Sequence, residues 1–443
     1  MAQEWLQHSM GDLGRAIASG EIDPVDLTET YLAAIDSHPL RDRIYARVTA
    51  DRARAEAKAA SVRAKLGQRR GPLDGVPISW KDLFDTAGVA TEAGSALLEG
   101  RVPERDAPVL RNSTLAGTVC LGKTHMSELA FSGLGYNPIT ATPPSVNDPD
   151  GVAGGSSSGA AASVAFGLAA CGIGSDTGGS VRIPSVWNDL VGLKTTSGRL
   201  SLEGVVPLAA TFDTVGPLCR TVEDAALMLA ALEGSRPVDL RGASLKGVRL
   251  LALEGVAMED VRDAPRAGFQ SAVERLQAAG AMIERKEVTA AQGALDCASM
   301  LVTADAYGTW REAIEAAPEK MFDQILDRFR YGAQVSGPDY VSGWQKLDAL
   351  RKEWASEVSG YDAVILPTAP SLPPNIERLA SDADYYTTEN LLALRNTRIG
   401  NLLGVSALTL PTGVPATGIM FMTPPMAEER LLRLGAAAEH ALA

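Results

Sequence analysis

Histidine is scarce in this chain: there are four among 443 residues, and His8 and His440 are terminal while His38 sits in a turn. That distribution argues against a Ser-His-Asp triad, which needs one imidazole held between a nucleophile and a carboxylate. Cysteine is equally sparse. Cys120, Cys171, Cys219 and Cys297 show no CxxC spacing, which speaks against a disulfide framework and a cysteine-rich metal site and fits a reducing compartment. No apolar run reaches the roughly 18 residues of a membrane span. The opening MAQEWLQHSMGDLGRAIASG has neither a basic nor an apolar leader region. A cytoplasmic protein with no membrane contact is expected. Basic charge is also in deficit, 41 Lys and Arg against 54 Asp and Glu for a net charge of -13, with no concentrated basic face. Direct nucleic-acid binding is therefore not expected, and the acidic excess reads as a solubilising surface.

What is present is ordinary globular material, 46% hydrophobic and 21% charged, which excludes a disordered or fibrous chain. Its length suits one elaborated α/β sheet or a large domain with an insertion. Asp23 reads as a helix N-cap with Pro24 at the first helical position, followed by Leu27, Tyr31, Ala34 and Ile35 at helical spacing. A second helix is expected over about 46 to 67. GPLDGVPISWKDLF, 71 to 84, leads into a short buried strand ending near Lys81. From 105 to 235 apolar runs such as Thr118 to Leu121 and Ala169 to Ile173 alternate with small-residue helical stretches, an α/β pattern. Val248 to Leu253 reads as a strand and Asp263 as the cap of a helix with Phe269, Val273 and Leu276 on one face. That helix stops at Gly280 before a strand from Met282 to Val288. Residues about 292 to 358 are mostly helical and are expected to form an insertion or lid. Tyr361 to Leu366 and Val405 to Leu410 are buried strands, and a last helix follows Pro424 and Pro425.

The chemistry is concentrated in two glycine-serine turns. Gly154-Gly155-Ser156-Ser157-Ser158-Gly159 is followed by small and apolar residues, then by Ser175-Asp176-Thr177-Gly178-Gly179-Ser180-Val181-Arg182-Ile183-Pro184. Glycines allow close backbone approach and positive φ, so a Thr-Gly-Gly-Ser turn can aim several N–H groups at one point. Such donors stabilise charge developing on a carbonyl oxygen under attack.

This stretch, from Gly154 to Pro184, resembles the amidase signature family at each specified position of the family's pattern. The resemblance extends to Gly75-Val76-Pro77-Ile78-Ser79-Trp80-Lys81-Asp82, Gly122-Lys123-Thr124, Val191-Gly192-Leu193-Lys194, Phe212 to Asp224 and Thr409-Leu410-Pro411, and is strongest over about 71 to 225. It implies one domain over 1-443 with an amidase-signature fold, a large central mixed twisted β-sheet covered by helices on both faces. It also implies Ser180 as nucleophile, Ser156 as bridging serine and Lys81 as base, with a cis peptide before Ser156. Thr177, Gly178 and Gly179, with Ser180, would supply the oxyanion donors. Neither cofactor nor metal is implied. The expected reaction is hydrolysis of a small-molecule amide to carboxylic acid plus ammonia or amine through a Ser180 acyl-enzyme. Lys81 must then be neutral, which burial among Pro77, Ile78, Leu83 and Phe84 would favour over a salt bridge to Asp82 or Asp85.

Three other readings compete. Gly117 to Thr124 is a literal Walker A match, but its strand-like residues lie inside the supposed loop and a helical stretch, Ala107 to Leu115, precedes it, against a nucleotide hydrolase. The same scaffold serves as the A subunit of a glutamyl-tRNA(Gln) amidotransferase, a glutaminase within a complex. The chain is short for that, and Gly418 to Thr423 departs from the usual segment there. A non-catalytic binding protein is disfavoured because all three residues of the relay are present. Trp187, Asn188 and Asp189 replace smaller family residues after the nucleophile and are expected to reshape packing beneath the site, Thr195 stands where proline is common, and Arg182 reads as a structural ion-pair partner. His125 borders the family's pocket, whose acyl side is assigned to loop 125 to 136 and the region 292 to 345. Aliphatic, aryl and amino-acid amides, ureas and esters all remain open as substrates, and a homodimer is left open.

Overall fold

The computed structural model describes residues 2–443. Eleven strands form one sheet: β1 (Tyr45–Val48), β2 (Pro77–Lys81), β3 (Val119–Thr124), β4 (Gly172–Ser175), β5 (Val191–Lys194), β6 (Val215–Cys219), β7 (Arg249–Leu253), β8 (Met282–Lys286), β9 (Ala363–Pro367), β10 (Ser406–Pro411) and β11 (Gly418–Thr423). Their order is β1-β3-β2-β4-β6-β5-β10-β11-β9-β7-β8. The sheet is mixed: β2 runs parallel to both β3 and β4, and β7 to both β8 and β9, whereas the central pairings are antiparallel.

Successive side chains of a strand point to opposite faces. Nearly every residue of β2, β3, β4, β5, β6, β9, β10 and β11 is buried, so both faces of the sheet's middle are covered. This is why the strands read as continuous apolar or small-residue runs rather than as alternating patterns. β8, with Glu284 and Arg285 exposed, closes one edge.

Several boundaries move. The helix expected over 46 to 67 is Ala50–Lys65, and the residues before it form the edge strand β1, whose alternation is too short to read. Asp263 is the first helical residue rather than the cap; Arg262 takes the extended cap position. The strand β11 and the helices Ile376–Ser381 and Ala383–Leu402 were not anticipated either. The Walker A reading fails on structure: Gly117, at φ 97, ends the helix Pro108–Ala116, and from Val119 on the match is β3. Lys123 is buried there and donates to Phe84 O (2.7 Å) and Thr91 Oγ1 (2.9 Å), so it is not free for a phosphate.

Candidate active site

β2 and β4 are adjacent and parallel, with Ser79 opposite Gly172 and Trp80 opposite Ile173. Their last residues, Lys81 and Ser175, therefore emerge side by side at the carboxyl end of the pair, where α/β sheets place their sites. Lys81 Nζ donates to Ser156 Oγ at 2.7 Å and to Ser175 Oγ at 2.8 Å, and the side chain is fully buried. Its neighbours Asp82 and Asp85 are committed elsewhere, Asp82 to Arg47 (3.1 Å) and Lys123 (3.4 Å), Asp85 to Arg101 (2.6 Å). Burial pulls the Lys81 ammonium down to about 7, against opposing fields from Asp176 and Asp213.

Ser156 lies just before the helix Ser158–Ala165, and the Gly155–Ser156 peptide is cis. A Cβ on Gly155 would fall 2.4 Å from Gly135 N, so only glycine fits beside this serine. Ser157 and Ser158 face away from the lysine: their hydroxyls donate to Ser175 O (3.3 Å) and His125 O (3.4 Å). Choosing Ser156 among the three needed the family register; in the structure it is the one of the three whose hydroxyl meets Lys81.

Ser180 ends the second turn. Gly179 before it has φ 141, and a Cβ there would meet Thr397 Oγ1 at 2.1 Å. The Ser180 carbonyl accepts from Ser157 N at 3.3 Å, which ties the two serine turns together. Its hydroxyl makes no hydrogen bond to Ser156 or to any other described residue; such contacts often tighten only once substrate is bound.

Asp176 organises this turn. Its carboxylate accepts from Gly179 N (2.8 Å), Val181 N (3.1 Å), Arg182 Nε (2.9 Å) and Nη2 (2.8 Å), and Asn401 Nδ2 (2.8 Å). Arg182 and its bonds hold this carboxyl well below the usual range despite complete burial. Arg182 is thus the structural ion-pair partner expected of it. The Gly179 N–H is directed at Asp176, which removes it from the expected oxyanion set. The N–H groups of Thr177, Gly178 and Ser180 have no acceptor among the described residues.

A cavity of about 30 Å³ adjoins Ser180, lined by Ala130, Phe131, Ser132, Thr177, Gly178, Leu208, Phe212, Ala298, Val302, Arg328, Leu394, Arg398, Asn401 and Leu402. The walls from 130 to 132 and from Ala298, Val302 and Arg328 lie in the two regions assigned from sequence. The wall from Leu394 to Leu402 belongs to the unanticipated helix Ala383–Leu402. His125 is a correction, for it is not among the lining residues; burial and Arg47 push its imidazole down to about 4. Trp187, Asn188 and Asp189 are built into the packing below: Trp187 Nε1 donates to Ser371 O (2.9 Å), Asn188 Nδ2 to Ala153 O (2.8 Å), and Asp189 accepts from Ala416 N (2.9 Å). Ser175 and Asp176 had signals in the sequence, since both sit at the end of a buried strand just before the glycine turn.

Serine hydroxyls, a buried amine and backbone donors without acceptors thus meet at one end of this α/β sheet, an arrangement suited to hydrolysis. The model of the family described as Amidase matches residues 26–432. The 2-amino-5-chloromuconic acid deaminase of Comamonas testosteroni is 35% identical, with 91% of each chain covered. The A subunit of the glutamyl-tRNA(Gln) amidotransferase of Thermobifida fusca (strain YX) is 32% identical over 99% of this chain and 96% of that one. Among solved structures, the native peptide amidase of Stenotrophomonas maltophilia superposes with a TM-score of 0.84 at 26% identity, covering 98% of this chain and 96% of that one. The chain belongs to the amidase family, and it is an amidohydrolase acting on carbon–nitrogen amide bonds.

Proposed function

We propose that this chain hydrolyses a small linear amide through an acyl-enzyme on Ser180, with Ser156 and Lys81 as the proton relay. The observation that carries this reading is the 2.7 Å contact between Lys81 Nζ and Ser156 Oγ in a fully buried setting. A neutral amine keeps a lone pair, so this contact can run in the opposite sense, with the serine hydroxyl donating to nitrogen. Lys81 then takes the Ser156 proton, Ser156 takes that of Ser180, and the Ser180 oxygen bonds to the amide carbon. The N–H groups of Thr177, Gly178 and Ser180 receive the oxyanion. Return of the proton to nitrogen lets the C–N bond break and the amine or ammonia leave. Water repeats the sequence and frees the acid.

The helical stretch 292 to 358 acts as the lid, a reading supported by Ala298, Val302 and Arg328 in the cavity wall. A cytoplasmic setting suits the four free, buried cysteines. Among the described residues no helix is long and apolar enough to cross a membrane.

The test is ammonia release by the purified chain from a panel of primary amides, ureas and hydrazides. Turnover by the isolated chain is expected. The full-length similarity to a component of an amidotransferase supports a second reading, glutamine hydrolysis within a complex. Activity confined to glutamine and dependent on co-purifying proteins would establish that one instead.

The pH profile follows from Lys81. Only the unprotonated amine accepts a proton, and burial places its titration at about 7. For a neutral amide, kcat/KM is expected to rise about tenfold per pH unit below that value and to level off above it. A flat profile from pH 5 to 9 would remove Lys81 as the base.

A further inference from the structure

Arg328, on the helix Asp323–Tyr331, and Arg398, on the helix Ala383–Leu402, line the same cavity as Ser180. Neither forms an ion pair or a side-chain hydrogen bond with any described residue, and Nη1 of Arg328 is a buried atom with no partner among them. Several other sheltered arginines of this chain have a carboxylate partner, and those without one, such as Arg220 and Arg395, still hydrogen-bond to carbonyl oxygens. Arg182 is paired with Asp176, Arg63 with Asp74, Arg52 with Asp106 and Glu56, and Arg199 with Glu233 and Glu428. Two half-buried guanidinium groups facing one cavity without a counter-charge signal a missing anion.

Nearby acids do not supply it. Asp213 accepts from Thr177 Oγ1 and from the N–H groups of Leu208 (2.9 Å) and Ala209 (3.3 Å). Glu128 accepts from Ser95 Oγ (2.8 Å) and Phe322 N (2.9 Å), and burial pushes its carboxyl up to about 7. Asp176 is saturated by Arg182, Asn401 and the turn. The Arg328 guanidinium lies 4.4 Å over the Phe131 ring, whose face orients it without neutralising it. Burial and the field of Arg328 push Arg398 down to about 9, which leaves it charged at neutral pH and records the repulsion between the two.

Arg398 is also close to the reacting turn. A Cβ placed on Gly178 would lie 3.4 Å from Arg398 Cγ and 3.7 Å from Nε. A group held by this guanidinium therefore sits within a few bonds of a carbonyl attacked by Ser180. Guanidinium forks match carboxylates bidentately.

Resting on the assignment of Ser180 as nucleophile, we infer that Arg328 and Arg398 form a carboxylate-binding subsite, and that the substrate is a small amide carrying a free carboxylate near the scissile bond, such as the monoamide of a short dicarboxylic acid. The pair determines specificity and positions the substrate; the relay does the chemistry.

The experiment compares succinamate with its neutral methyl ester, following ammonia release by wild type, Arg398→Gln, Arg398→Lys and Arg328→Gln. Wild type should prefer succinamate by about 100-fold in kcat/KM, the scale of a buried charge pair. Either glutamine variant should erase most of that ratio, and Arg398→Lys should retain part of it, keeping charge while losing the fork. Calorimetric titration with succinate adds a readout independent of turnover: wild type should bind it and the glutamine variants at least tenfold more weakly. Equal wild-type rates on both amides, or succinate binding unaffected by the substitutions, would overturn the subsite while leaving the Ser180 assignment intact. Turnover of either amide surviving in Ser180→Ala would overturn the nucleophile assignment instead. If wild type hydrolyses neither amide, the succinate titration alone decides the subsite.

Discussion

Ser180→Ala is expected to lower kcat by about 10⁴-fold or more while the protein stays folded, because the acyl-enzyme has no other oxygen on which to form. The substitution removes one hydroxyl that makes no hydrogen bond to a described residue, and the carbonyl accepting from Ser157 N remains. Circular dichroism and the urea midpoint should therefore match wild type. Ammonia release measured over hours gives the residual rate. A folded variant retaining a tenth of the wild-type rate would end the nucleophile assignment.

Lys81→Met should be nearly as damaging, with a fall of about 10³-fold or more in kcat, the upper range for removing a general base. Methionine fills a similar volume at this buried position at the end of β2 but cannot accept the Ser156 proton. The two losses should not add. In Ser180→Ala/Lys81→Met the base has no nucleophile to serve, so the double variant should be about as slow as Ser180→Ala alone. Stability should change little, since loss of the bonds to Ser156 and Ser175 is offset by removal of a buried amine whose charged form burial disfavours. If Lys81→Met loses the pH dependence without losing rate, the lysine tunes the site and another group carries the proton.

Much of this site was legible in the sequence because its parts are local. The glycine turns are forced by close approach, as Gly155 against Gly135 and Gly179 against Thr397 demonstrate, and such turns leave a pattern in residue types. The strand before Lys81 was readable because Pro77 and Ile78 open a buried run. What escaped was settled by distant partners. The edge strand β1 exists only because Tyr45 and Val48 pair with Thr124 and Gly122. The strand β11 lies between β10 and β9. The helix Ala383–Leu402 has a mixed outline because it packs Tyr386, Leu394 and Ile399 while also burying Glu389, Asn390, Asn396 and Asn401. The narrowing of the oxyanion set could not be foreseen either, since it depends on where the carboxylate of Asp176 turns.

The helix Ala383–Leu402 also constrains how such a protein can change over generations. Thr397 Oγ1 donates to Gly178 O at 2.7 Å and Asn401 braces Asp176, while Arg398 between them faces the cavity. Under the roles proposed above, selectivity and reactivity are written on adjacent residues of one helix. A lineage that shifts this helix to admit a new substrate also unsettles the turn from Asp176 to Ser180 that the helix braces. The freer route to new selectivity runs through Ala298, Val302 and Arg328, cavity residues on other helices that make no hydrogen bond to the turn.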